Sequence, residues 1–81
     1  MDTSTIRMLE GRLKSAMASV GFWGVQHFEH CDTSSFRCYR EALVRALTTA
    51  QILDSLHIEG GTLAVEEIEA MMADVKPPLQ L

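Results

Sequence analysis

Proline occurs only as Pro77 and Pro78, so nothing before the last five residues forbids a helix on steric grounds. Cysteine is almost as scarce. Cys31 and Cys38 are too few for the disulfide framework of a small secreted domain, and free thiols are expected. No apolar run approaches the roughly 18 residues that a membrane span requires, and Met1 to Ser4 carry no basic leader, so the expected location is cytoplasmic and away from membranes. Basic residues are thin in the rear half. After Ala46 the sole one is Lys76, against Asp54, Glu59, Glu66, Glu67, Glu69 and Asp74. The net charge of −4 argues against a protein held to a phosphate backbone by general electrostatics, and no nucleic-acid partner is expected.

What remains is a packed composition: 47% of the 81 residues are hydrophobic, enough for one small core and no second domain. The arrangement is helical. Ile6, Leu9, Leu13, Ala16, Met17 and Val20 recur at helical spacing behind Thr3 and Ser4, and Gly21 reads as a C-terminal stop. The stretch Phe22 to Cys31, aromatic and interrupted by Gly24, reads as a long connection. Asp32, Thr33 and Ser34 are N-cap candidates for a second helix from about Ser34 to His57, about 36 Å long at 1.5 Å per residue. Phe36, Tyr39, Leu43, Ala46, Leu47, Ala50 and Leu53 form its main stripe, with Ile52 and Leu56 on another side. A helix with two apolar sides sits between two neighbours. Glu59, Gly60 and Gly61 read as a turn, Thr62 as a cap, and Leu63 to Val75 as a third helix whose apolar face of Val65, Ile68, Met71 and Met72 is expected to pack on the Ile52 and Leu56 side. The expected fold is an all-α, three-helix domain over residues 1–76, built around a long second helix and open to completion by dimerisation, followed by a flexible tail at 77–81.

Chemistry-bearing residues cluster in one place, where His27, His30, Cys31 and Cys38 fall in the spacing H-x2-H-C-x6-C. Neutral imidazole and thiolate are zinc ligands, and this cluster defines an alternative reading as a small zinc-binding or thiol-redox domain. The spacing matches no common structural zinc motif, however, and unliganded residues are the favoured reading, with no metal and no cofactor. Catalysis has two thin candidates: Cys31 beside a histidine, and Asp54 three residues before His57. Neither comes with an oxyanion hole or a third orienting group, so no enzymatic activity is expected. Gly60 and Gly61 lack the frame and the lysine of a phosphate loop, and the acids Glu66 and Glu67 behind them repel phosphate.

Surfaces are the stronger lead. Phe22, Trp23 and Phe28 put three of the five aromatic residues within seven positions, and tryptophan is a favoured anchor of binding hot spots. Ile52 and Leu56 supply an apolar side to the second helix, and Met71 and Met72 an adaptable one to the third. These seven residues are the candidate interaction surface. The function expected from them is that of a protein-interaction module, an adaptor, co-chaperone, inhibitor or regulatory subunit, acting in a homodimer or a heteromeric complex. The basic residues Arg7, Arg12, Lys14, Arg37, Arg40 and Arg45 would support nucleic-acid binding only if the fold gathered them on one face.

Overall fold

The computed structural model describes residues 3–30 and 32–75. Three helices and no strand are found among them: α1 (Thr3–His30), α2 (Thr33–Ser55) and α3 (Glu59–Asp74). The expected tail at 77–81 lies outside the described residues, as do Lys76 and Cys31. No helix among the described residues is long and apolar enough to cross a membrane.

α2 sits between its two neighbours: α1 and α3 both pack on it and make no backbone contact with each other. One stripe of α2 serves both. Ala42, Ala46 and Ala50 are small enough for two helices to approach neighbouring sides of the same face, and Tyr39, Leu43 and Leu53 fill the space between. The fully buried large side chains are Leu43, Leu53 and Ile68, and Leu47 is half-buried against the same cluster. The expected placement of α3 is therefore corrected. It packs on the Leu43 and Leu53 face, with Ile68 inserted, and Ile52 stays exposed.

The largest departure from the sequence reading lies in α1. The helix does not stop at Gly21 but runs on through Phe22–His30, making α1 rather than α2 the longest element at 28 residues. Gly21 and Gly24 both keep negative φ, so neither supplies the left-handed residue that ends a helix. The buried stripe of Leu9, Ala16 and Val20 simply continues through Gly24 and His27. Gly24 is small where smallness is needed: a Cβ there would come within 3.3 Å of the Tyr39 ring. Packing on Tyr39 thus overrides the intrinsic cost of glycine in a helix, about 1 kcal/mol.

The second correction concerns the α2–α3 turn. α3 begins at Glu59, so Gly60 and Gly61 lie in its first turn and not before it, and Thr62 is no cap. The chain reverses instead at His57, whose φ of 61° is left-handed. The His57 N–H donates to the Asp54 carbonyl at 2.9 Å and the Ile58 N–H to the Leu53 carbonyl at 3.1 Å. These two bonds close a Schellman motif with histidine in the seat usually taken by glycine. Gly61 is needed for proximity. A Cβ on it would fall 2.5 Å from Leu53 Cβ and 2.7 Å from the Asp54 backbone nitrogen, so α3 lies directly on the end of α2.

Candidate functional site

The extension of α1 decides where the candidate residues fall. Phe22, Val25 and Phe28 follow one another at three-residue intervals on the C-terminal half of α1 and are 57%, 53% and 75% exposed, with Phe28 at the edge of the row, its ring 6.4 Å from that of Tyr39 on α2. Ala18 and Gly21, both exposed, lie in the same seam, and no atom lies within 4 Å of where a Gly21 Cβ would be. Trp23 turns the other way, half-buried against the core, and meets Phe22 edge to face with ring centroids 5.0 Å apart. An anchored tryptophan therefore backs an exposed phenylalanine.

Met71 and Met72 are half-buried against the core at the same end of the bundle as Phe28. Ile52 and Leu56 lie at the opposite end, Ile52 exposed and Leu56 half-buried as the C-terminal cap of α2. The seven residues singled out in the sequence thus do not form one patch. Two of them, Phe22 and Phe28, share an exposed ridge with Val25, which sequence reasoning passed over because it placed position 25 in a loop.

The histidine and cysteine residues are spread out by the same helix. His27 is buried, stacked at 5.7 Å on Tyr39 and close to Phe28 and Phe36, with ring centroids 5.5 and 5.6 Å away. Its Nδ1 has no hydrogen-bond partner among the described residues. His30 is exposed, Cys38 is a half-buried free thiol on α2, and Cys31 lies outside the described residues. Among the described residues no group of three or more His, Cys, Asp or Glu side chains is placed to hold a metal ion. A small cavity of about 160 Å³ separates His27, Phe28 and Tyr39 from Met71, Asp74 and Val75. Asp54 is engaged by the Thr62 hydroxyl, while His57 follows it through the backbone only.

Four of the six forward basic residues do converge. Arg37, Arg40 and Arg45 line the open face of α2 together with Glu41 and Val44, and Arg12 joins Arg45 in the groove between α1 and α2. Lys14 lies elsewhere, near Glu10 and the α2–α3 turn. The acids Glu59, Glu66, Glu67, Glu69 and Asp74 are all exposed on α3. At the start of α2, the Asp32 carboxylate accepts the Ser35 backbone N–H at 2.6 Å. That bond, aided by the Ser35 side chain and by the nearby His30 and His27, holds its pKa below the ordinary value of 3.8 against a small opposing effect of burial.

Compared with known proteins, the chain matches no family model, no characterised protein and no solved structure.

Proposed function

We propose that this protein is a non-catalytic protein-interaction module, of the kind that serves as an adaptor, co-chaperone, inhibitor or regulatory subunit, and that it docks through the outer ridge of α1. The observation that carries this reading is the exposure of Phe22, Val25 and Phe28 side by side on one unbroken helix. Single exposed apolar residues need no explanation, but a contiguous row of two aromatics and a valine, each more than half exposed, is the form an association site takes. The Trp23 contact strengthens it, because a ring held in place before binding loses less conformational entropy on docking.

The open face of α2 favours a second, heteromeric use of the same module. Arg12, Arg37, Arg40 and Arg45 against the single Glu41 suit an acidic partner helix, with guanidinium groups free to make paired bonds to carboxylates.

The double variant Phe22→Asp/Phe28→Asp tests the main reading. Both side chains are more than half exposed and each gives up only edge ring contacts, so helicity should be kept and the melting midpoint should fall only slightly. Association, followed by light scattering for the pure protein and by co-purification from its host for other partners, should be lost. A folded double variant that keeps every association would overturn the assignment of the α1 ridge.

A further inference from the structure

Resting on that reading of the α1 ridge, we infer that its occupant is a second copy of this chain, packed antiparallel with the two-fold axis between positions 21 and 22. The seam itself is the first argument. Lys14, Ala18, Gly21, Val25 and Phe28 follow one another at alternating intervals of four and three residues, the spacing that keeps one helix in register with another. Phe22 and Glu29 flank it, and α1 is continuous over the whole stretch.

Shape complementarity follows from the proposed axis. Gly21 meets Gly21 of the second copy beside the two-fold, where the missing Cβ atoms allow close backbone approach. On the other side of the seam, Phe22 meets Phe22 of the second copy, each ring already held edge to face by its own Trp23. One turn outward, small Ala18 lies against the larger Val25 of the other chain, and the same contact recurs by symmetry.

Charge complementarity selects the direction. The seam carries a lysine at one end and a glutamate at the other, Lys14 and Glu29, both exposed. Antiparallel packing brings each Lys14 within reach of Glu29 of the second copy, twice per dimer. Parallel packing would instead set Lys14 beside Lys14 and Glu29 beside Glu29. The seam from Lys14 to Glu29 spans about four helical turns, about 22 Å. A contact of that length falls below the roughly 800 Å² per partner of a standard interface, so the dimer is reversible, with dissociation in the micromolar range.

Sedimentation equilibrium of the full chain across that concentration range tests this. The parent should follow a monomer–dimer equilibrium. Lys14→Glu and Glu29→Lys should each weaken it about tenfold, and the double exchange Lys14→Glu/Glu29→Lys should restore it. Register is tested in a Cys31→Ser/Cys38→Ser background. Mixed Ala18→Cys and Val25→Cys chains should form the mixed disulfide far faster than either forms its own, whereas preferential Ala18→Cys homodimers would mean parallel packing and overturn the inference. A parent that stays monomeric overturns it too, while the interaction-module reading stands if partner capture still depends on Phe22 and Phe28. A dimer that survives Phe22→Asp and is indifferent to both charge variants sinks both.

Discussion

The two ends of the bundle are built on opposite plans. At the α2–α3 end, Gly61 lies against Leu53 and Asp54, His57 closes a two-bond turn, and the Thr62 hydroxyl engages Asp54. At the α1–α2 end, the His27 ring stacks on Tyr39 and meets Phe28 and Phe36 at a tilt, His27, Phe28 and Tyr39 line a cavity of about 160 Å³, the buried His27 Nδ1 has no partner among the described residues, and Phe28 is three-quarters exposed. The first end joins α2 to α3 by close backbone contact, with a cavity of about 270 Å³ between that turn and Leu13 and Met17 of α1. The second leaves aromatic surface exposed, and under the proposed reading that surface serves docking while the Gly61 contact serves stability.

Truncation at each end gives the sharpest contrast. Leu53→Ala removes a side chain that is 1% exposed and should destabilise by about 2–5 kcal/mol in denaturant titration. Phe28→Ala at the other end should change stability by no more than about 0.5 kcal/mol while weakening association. Equal losses would erase the distinction. Next in size, Gly61→Ala forces a methyl group into the Leu53 and Asp54 contact and should cost about 1–3 kcal/mol, whereas Gly21→Ala, with open space around it, should leave monomer stability unchanged or improve it.

Smaller effects sharpen the aromatic end. His27→Phe keeps a ring among its neighbours and removes the unpartnered Nδ1, and should raise stability by about 1 kcal/mol. A loss on thermal unfolding would show that the nitrogen makes a bond in solution. Asp32 contributes the least and by a different route. Its folded-state pKa lies below the unfolded one, so its contribution is fully present above the ordinary carboxyl range and is lost as pH falls through the lowered value. Asp32→Asn keeps a capping side chain but removes the titration, so the fall in melting temperature below about pH 4 should become shallower. An unchanged acid limb would assign that fall to other carboxylates.

Most of the architecture was legible because periodicity reports burial directly. The α2 stripe from Tyr39 to Leu53 and the α3 residue Ile68 are core, as their spacing requires. The departures in element bounds share one cause, which is glycine, whereas the face of α2 that receives α3 is set by the depth of Leu43 and Leu53. By local rules Gly21 reads as helix-ending, Gly24 as loop-forming and Gly60 and Gly61 as a turn, because those rules speak of backbone freedom. Gly24 and Gly61 instead serve close approach, to the Tyr39 ring and to Leu53, and a contact between distant positions leaves no local trace. Val20, Gly24 and His27 do continue the α1 spacing, a signal available to anyone who allows glycine and histidine as stripe members. The site followed the same pattern. Phe22 and Phe28 were visible as aromatics, but their shared ridge with Val25 appears only once α1 is continuous.

The central position of α2 also bears on how fast the chain reaches this structure. Each outer helix makes its close backbone approach to the helix beside it in sequence, joined through the short connections at 31–32 and 56–58, so the backbone pairing of the helices is between chain neighbours. Closing such short loops costs little entropy, and topologies of this kind cross their folding barrier in microseconds to milliseconds. Temperature-jump relaxation should therefore show one rapid phase, with either hairpin, α1–α2 or α2–α3, able to form first and template the other on the helix they share.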